Sequence, residues 1–437
     1  MSVFMSAATS YYHASCPQPA WPRLEERLQA DVCIVGGGFT GIASALELAE
    51  RGRRVVVLEA QQIGWGASGR NGGQLIRGLG HDLQRFRPLL GDAGVEQLEQ
   101  MGIEAVELVR QRITRLQIDC DLRWGFCELA NTHSGLLRLQ QQAETLQQRG
   151  YAHALRLLER DQLTEVIDSG RYQGGLVDMG SGHLHPLKLL LGQALAAQAQ
   201  GAHLFEHSGV QSIQRGTRLR VRTAQGEVEC DQLILGCNAY LGRLVPELEG
   251  RLLPAGSYMI ATEPLGSARA QRLLPGNMAL CDQRLALDYF RLSADGRLLF
   301  GGACRYSGRD PADIEAYMRP KMLRVFPQLA DVRIDYRWGG MLGIGANRLP
   351  QIGRLQGANN IYYAQGYAGH GLNVSHLAAR LLVQAICAEQ DSGLQLFQRV
   401  PHPRFTGAAR LRSPLLALGM LWYRLRELLG EMRPGAR

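Results

Sequence analysis

The chain lacks what would carry it across a membrane or staple it with disulfides. Its most apolar stretch, Leu415 to Trp422, is interrupted by Gly419 and falls well short of the ~20 residues a spanning helix requires. Met1 to Leu24 holds no basic segment followed by an apolar one, so no secretory leader is expected and the cytoplasm is the expected compartment. Nine cysteines, at 16, 33, 120, 127, 230, 237, 281, 304 and 387, form no CxxC pair; reduced, mostly buried thiols are expected instead of a redox dithiol or zinc knuckle. His183 and His185 make an HxH that no neighbouring Cys or acidic ligand completes, so no metal is expected. One-signed charge is also scarce. The 48 basic and 40 acidic residues leave +8, scattered singly instead of forming a stripe with aromatics, so nucleic acid is not an expected partner. What remains is a 437-residue globular chain, 46% hydrophobic and 20% charged, long enough for two to three domains' worth of core.

The strongest local pattern opens at Asp31-Val-Cys-Ile-Val35, a short buried strand running directly into Gly36-Gly-Gly38-Phe-Thr-Gly41. Apolar residues at 39, 42, 43, 46 and 49 mark one helix face, Gly52 supplies its stop, and Val55 to Leu58 is a second strand ending at Glu59. This is a GxGxxG turn within a complete βαβ unit. Gly36 permits the tight turn, Gly38 admits a pyrophosphate to the backbone, and Gly41 lets helix and sheet pack closely. The helix start, with its unpaired N–H groups and dipole, favours the phosphates. Glu59 follows the first glycine by 59 − 36 = 23 positions, where a carboxylate accepts from ribose hydroxyls and repels a 2′-phosphate. An ADP moiety, in NAD or FAD, is implied.

Two further features favour FAD. Ile63 to Gln74 is a glycine-rich loop, where a nicotinamide dehydrogenase would resume helix and strand at once. Far downstream, Asn360 to Ala364 reads as a strand, and Gly366-Tyr-Ala-Gly-His-Gly-Leu-Asn373 is a second glycine turn opening a helix to about Ile386. A ligand long enough to meet both turns is FAD. The later helix would aim its positive end at the flavin N1/C2=O edge, which becomes anionic on reduction.

These segments resemble the D-amino acid oxidase/glycine oxidase superfamily of FAD-dependent amine oxidoreductases, from Tyr11-Tyr12 to about Tyr423. Matching stretches are GGGFTG at 36–41, GWGASGRNGGQ at 64–74, GGLVDMGSGHLHPLKL at 174–189, LPAGSYMIATEPL at 253–265, LDYFRLSADGRLLFGG at 287–302, RLPQIG at 348–353 and GYAGHGLN at 366–373. The 64–74 and 253–265 stretches point to its γ-glutamylputrescine oxidase subgroup. The resemblance implies an α/β (α+β overall) fold: a Rossmann-like FAD-binding domain with a β-meander, interleaved with an antiparallel-sheet substrate domain. The implied segments are 1–90, 161–250 and 341–437 for the cofactor domain and 91–160 and 251–340 for the substrate domain. Local patterns agree: strands at 201–206, 219–222, 227–230 and 233–235 suggest the meander, and alternation at 256–263, 285–292 and 297–304 suggests the roof over the flavin. Helices are expected at 94–116 and 187–200. The segment Leu415 to Tyr423 looks amphipathic and is read as a terminal helix packed on the body, with a membrane-surface or subunit contact as the alternative.

The resemblance also implies the site. Asn71, Gly72 and Gly73 lie along the flavin ring with Arg70 and Gln74 near them. Ala60, Ala67, Ser68, Val210, Gly236, Gly369, His370, Gly371, Leu372 and Asn373 join Gly36, Gly38, Phe39, Thr40, Gly41 and Glu59 around the cofactor. Tyr289 occupies the place of an active-site tyrosine, the alternative being a plain aromatic of the sheet, and alternation puts Arg291 on its face. His370 either stabilises the reduced flavin anion or bonds the backbone. Where glycine oxidase holds two carboxylate-clamping arginines, this chain has Leu342 and Gly369; where monomeric sarcosine oxidase has a lysine, it has Asn373. An amine without an adjacent carboxylate is therefore the expected substrate, the glutamyl carboxylate of γ-glutamylputrescine meeting a more distant arginine such as Arg291. Met341 to Asn347 contains no cysteine, so FAD is expected to be non-covalent. The implied reaction yields an aldehyde, ammonia and, with O2 as acceptor, hydrogen peroxide. Rivals are a secondary amine, imino acid or D-amino acid as substrate, a quinone or protein as electron acceptor, and a flavin-binding protein without activity. The oligomeric state is left open.

Overall fold

The computed structural model describes residues 10–80, 82–284, 287–306, 310–389 and 391–405. The segment Leu415 to Tyr423 lies outside them. A single turn, α1 (Tyr11–Ala14), precedes the expected βαβ unit: β1 (Arg27–Val35), α2 (Phe39–Glu50) and β2 (Val55–Leu58). Next come β3 (Gln74–Leu75), α3 (Arg87–Leu116), β4 (Arg123–Ala130), α4 (His133–Gln148), β5 (Leu155–Glu159), β6 (Gly174–His183) and α5 (Pro186–Ala199). Then β7 (His203–Phe205), β8 (Ser212–Gln214), β9 (Leu219–Arg222) and β10 (Glu227–Leu235) lead to β11 (Leu252–Thr262), α6 (Ser267–Leu273), β12 (Ala279–Asp282), β13 (Asp288–Leu292), β14 (Leu298–Arg305) and α7 (Ile314–Val325). The described chain closes with β15 (Ile334–Gly345), β16 (Gln351–Leu355), β17 (Ala358–Gln365), α8 (Gly371–Ile386) and α9 (Ser392–Gln398).

The first sheet runs β16-β17-β10-β1-β2-β7, with β9 and then β8 attached to β10. β10 is parallel to both β1 and β17, pairing Val35 with Leu235 and Leu235 with Tyr363. All four residues of β2 are buried, as an apolar run covered on both sheet faces requires. One face packs beneath α2, α3, α5 and α8; the other is closed by the β8–β9 hairpin and the loops after β10. Two details differ from the sequence reading. The strands expected at 227–230 and 233–235 are one, since Asp231 and Gln232 stay extended alongside β1. His203–Phe205 leaves the meander and pairs parallel with β2 at the sheet edge.

The second sheet, β15-β11-β14-β13-β12-β4-β6-β3 with β5 on β6, is the roof. It is antiparallel except where β12 runs parallel to β4. β6 belongs to it, although the sequence reading placed 161–250 with the cofactor domain. Among the described residues no helix is long and apolar enough to cross a membrane, and no group of side chains could hold a metal.

The helical layer contains a buried polar chain. Arg112 on α3 donates from Nη2 to Glu47 Oε1 on α2 (2.5 Å) and from Nη1 to Gln193 Oε1 on α5 (3.0 Å). The Gln193 amide meets His376 Nε2 on α8 (3.1 Å), and His376 Nδ1 donates to the Leu372 carbonyl (2.6 Å). Four helices are thereby tied at one point; removing Glu47 would strand Arg112 at a cost of about 3–5 kcal/mol, whereas Glu47 also has Arg51 and Arg380 at 3.7 Å.

His183, His185 and His376 are all buried. Burial first, then neighbouring arginine charge, lowers each to about 3. In the unfolded chain they titrate near the ordinary histidine value of about 6.5, so the unfolded state holds more protons below that pH. Each then removes about 1.4 kcal/mol of stability per pH unit. The urea midpoint is expected to fall between pH 6.5 and 5, with protons taken up on unfolding at pH 5.5. A midpoint that does not move across this window would show these rings to be protonated in the fold.

Candidate active site

The site is built where parallel strands end. β1, β10 and β17 finish at Val35, Leu235 and Gln365, and each is followed by a glycine: Gly36, Gly236 and Gly366. Gly36 has φ +111°, and a Cβ there would come within 3.0 Å of the Gly236 carbonyl. A Cβ on Gly41 would collide with the Gly36 carbonyl oxygen. Gly36 thus makes the tight turn, and Gly41 the close packing at the start of the helix, that the sequence implies. Glu59 accepts from the Gly37 N–H through Oε2 (2.7 Å) and from the Gln61 N–H through Oε1 (2.9 Å). Burial raises its pKa, opposed by those backbone donors. Each oxygen keeps a lone pair for a ribose hydroxyl. Ala60 is exposed beside it, next to Gly209, and Val210 packs under the first sheet.

Whether this frame fits FAD is tested by its two helix starts. The N-caps of α2 and α8, Gly38 and His370, contribute no side-chain cap, and neither first turn holds an acid. Both present backbone donors and a positive dipole end, the first suited to a pyrophosphate, the second to an anionic ring edge. The two starts are joined: Thr40 Oγ1 and Tyr367 Oη lie 2.6 Å apart, and the Phe39 and His376 rings are 5.2 Å apart. The residues fit an extended dinucleotide.

The 64–74 loop is placed between them. Ser68 Oγ accepts the Phe39 N–H (3.0 Å), and Ala67 lies in the same short turn. Asn71 does not present its amide to the cleft, in contrast to its expected catalytic role. Nδ2 donates to the Ala67 and Ser68 carbonyls (3.1 and 2.8 Å) and Oδ1 accepts the Gly73 N–H (2.8 Å), so the side chain fastens the loop that carries it. Arg70 donates to the Trp65 carbonyl (2.8 Å), while its own carbonyl accepts from Trp338 Nε1 (2.9 Å) on β15. Gln74 reaches the Leu280 carbonyl (3.0 Å). Gly72 and Gly73 are needed because a side chain at either would meet the Tyr289 ring or the Arg291 guanidinium.

Tyr289 and Arg291 do share one face of β13. Burial raises the Tyr289 pKa, so its hydroxyl, 3.4 Å from Ser257 Oγ, keeps its proton. Arg291 is a correction. Its Nε donates to the Gly72 carbonyl (2.8 Å), Nη1 to the Leu292 carbonyl (3.1 Å) and towards His183 (3.5 Å), and Nη2 to the Leu184 carbonyl and Tyr12 Oη (2.9 and 3.1 Å). With all five donors engaged, it braces the loop and is not available to a substrate carboxylate. Asn373 likewise turns its amide to the Gly78 carbonyl (3.0 Å), tying α8 to the loop after β3. Leu372 is buried and Gly371 half-buried in the first turn of α8, Gly371 lying against Tyr367. Gly369, at φ +103°, is exposed with open space about it. Burial lowers His370 to about 4, so the ring is neutral near pH 7.

Sequence reasoning missed Tyr12, Tyr367 and Trp338. Each is buried and joins the site to a distant segment, and no local pattern marks such a partner. Tyr11-Tyr12 carried a faint signal, two aromatics in an otherwise ragged lead.

Gly41→Ala should weaken FAD binding on the order of 10–100-fold, the 1–3 kcal/mol of an overpacked contact. Gly170→Ala, at a position with open space and ordinary φ, should leave it unchanged. Titration of apoprotein with FAD, read by flavin fluorescence quenching, distinguishes them; equal affinities would remove the glycine turn from the site.

Residues 31–385 match the family model described as DAO, FAD dependent oxidoreductase. The chain is 44% identical over 424 residues to gamma-glutamylputrescine oxidoreductase of Escherichia coli strain K12, covering 97% of this chain and 99% of that one. It is 25% identical to glycine oxidase of Pseudomonas aeruginosa, covering 82% and 95%. The crystal structure of glycine oxidase from Geobacillus kaustophilus superposes with a TM-score of 0.72 at 20% identity, covering 87% of this chain and all of that one. The glycine turns, the roof and these likenesses converge: the chain belongs to the DAO family of FAD-dependent oxidoreductases.

Proposed function

We propose that the protein oxidises the terminal amine of γ-glutamylputrescine, with O2 as electron acceptor. Bound FAD supplies the hydride acceptor for this chemistry. The balance is R–CH2–NH2 + O2 + H2O giving R–CHO + NH3 + H2O2: the C–H bond beside nitrogen is lost, the carbon is oxidised and the imine is hydrolysed.

One observation carries the reading: among the described residues, neither position expected to clamp a carboxylate at the reacting end carries a cation. Leu342 and Gly369 stand where the resemblance places carboxylate-clamping arginines, and Arg291 has every donor engaged. A carboxylate buried there beside the reacting carbon would lose several kcal/mol of hydration without a partner. An unsubstituted aminomethyl end loses nothing of the kind. Tyr289, protonated and aligned with Ser257, is suited to orient the amine, and the apolar residues beside it exclude water. The 44% identity with the Escherichia coli oxidoreductase over nearly the full chain supports the same substrate.

Anaerobic mixing with γ-glutamylputrescine, free putrescine, sarcosine, glycine and D-amino acids should bleach the flavin near ~450 nm with the first at least ten times faster than with any α-amino acid. Under air the same mixture should yield one peroxide per aldehyde. Reduction by α-amino acids alone would overturn the argument from Leu342, Gly369 and Arg291; bleaching without peroxide would replace O2 by another acceptor.

A further inference from the structure

Away from Tyr289 the same roof face holds a cation and an anion that nothing above uses. Cross-strand partners project to one side of a sheet, and the register pairs Tyr289 with Cys281, Cys281 with Glu128 and Phe126 with Asp178. Phe126, Ala279 and Cys281, with Ile76 and Tyr289 packed on them, form an apolar strip. Tyr289 stands at one end, its ring leaning over Gly301 on β14 and its hydroxyl towards Ser257, and Glu128 lies on β4, three strands from that hydroxyl, about 14 Å at the ~4.8 Å strand spacing.

Glu128 has one hydrogen-bond partner among the described residues, Gln283 Nε2 at 3.3 Å. Burial raises its pKa; Gln283 and the charges of Arg77 and Arg138 oppose the rise. Arg77 is held from behind. Its Nε donates to Asp178 Oδ2 (2.9 Å), its backbone N–H to Ser181 Oγ (3.1 Å), and its guanidinium lies 5.6 Å from the centre of the Tyr151 ring. Asp178 is itself fixed by Tyr151, Ser181 and the Gly180 N–H. Among the described residues nothing accepts from Arg77 Nη1 or Nη2, though the side chain is only 15% exposed. A guanidinium anchored through Nε with both terminal nitrogens available is a carboxylate fork. Arg77 and Glu128 influence each other yet form no ion pair with one another; Asp178 pairs with Arg77 from behind, and the two terminal nitrogens of Arg77 and the remaining carboxylate oxygen of Glu128 have no hydrogen-bond partner among the described residues.

We infer that Arg77 and Glu128 form the subsite for the amino-acid head of the substrate, Arg77 taking the α-carboxylate and Glu128 the α-ammonium. This rests on the γ-glutamylated substrate proposed above and deepens it. From the oxidised carbon of γ-glutamylputrescine to its amino-acid carbon is roughly eight bonds, or about 9–10 Å at the ~3.5 Å per three bonds of an extended chain. With a hydrogen bond of about 2.9 Å at each end, that length spans the distance from the Tyr289 hydroxyl to Glu128. The methylenes between would lie on the apolar strip.

The readout is the ratio of kcat/KM for γ-glutamylputrescine over N-acetylputrescine, which has the same reacting end and amide but no amino-acid head. Wild-type enzyme should favour the first strongly, and both Arg77→Gln and Glu128→Gln should cut the ratio at least tenfold, mostly through KM, with the flavin spectrum unchanged. A merely structural role would lower both substrates alike and leave the ratio in place. If the wild type discriminates and both variants still do, the subsite is wrong while the substrate stands. If γ-glutamylputrescine fails to reduce the wild-type flavin, substrate and subsite fall together.

Discussion

The parallel pairing of β10 with β1 on one side and β17 on the other is the constraint on which everything else depends. Both glycine turns leave the sheet at the same edge only because these three strands share direction and register. The carboxyl edge of a parallel sheet is where ligands settle, since the helices that follow start there with unpaired N–H groups. Residues more than 300 positions apart are thus brought to hydrogen-bonding distance, as Thr40 and Tyr367 show. A shift of either pairing by one residue would reverse the alternation and carry apolar residues to the wrong face.

The arginines of the cleft divide by what already holds them. Arg291 spends all five donors on backbone carbonyls, His183 and Tyr12, so its charge stiffens the loop instead of recruiting a ligand, while Arg70 gives Nε to the Trp65 carbonyl and Nη1 to that of Gly339 (3.4 Å). Arg77 is held by one nitrogen and leaves two. Burial makes an unpaired guanidinium costly, so an engaged one is the low-energy arrangement and an incompletely engaged one needs a reason. Sequence position cannot separate the two kinds. Arg291 was the natural choice from alternation on β13, and alternation did place it on the correct face; only the geometry of five donors shows that none is left.

What was legible in the sequence follows the range of the interactions involved. The βαβ unit, the Glu59 position, the start of α8 and its end at Ile386 are set by neighbours within a few turns of chain, where glycine, periodicity and an acid after a strand carry direct meaning. The division of strands was less legible. Asp231-Gln232 looked like a break because polar residues interrupted the apolar run, yet β1 supplies the pairing that keeps them extended. Asn71 illustrates the limit for side chains. An Asn between Arg and Gly-Gly is as consistent with a ligand contact as with an Asx-type fastening, and the choice is made by the Gly73 N–H and the Ala67 and Ser68 carbonyls.

The lead segment shows how a short, unpatterned stretch acquires a function from packing. α1 is a single turn, too short to be stable alone, with Ser10 capping it through the His13 N–H. Tyr12 is fully buried between His185 and Trp338, and its hydroxyl accepts from Arg291. Tyr11 donates to Asp295 on the turn between β13 and β14. Arg291 in turn holds the Gly72 carbonyl, and Trp338 holds that of Arg70. Two tyrosines therefore wedge the roof against the cofactor loop from outside the cleft. The loop positions its glycines against Tyr289 because it is clamped at both of these carbonyls. The Gly72 and Arg70 carbonyls are thus fixed from the protein side, by Arg291 and Trp338, and the loop needs no ligand to hold its shape.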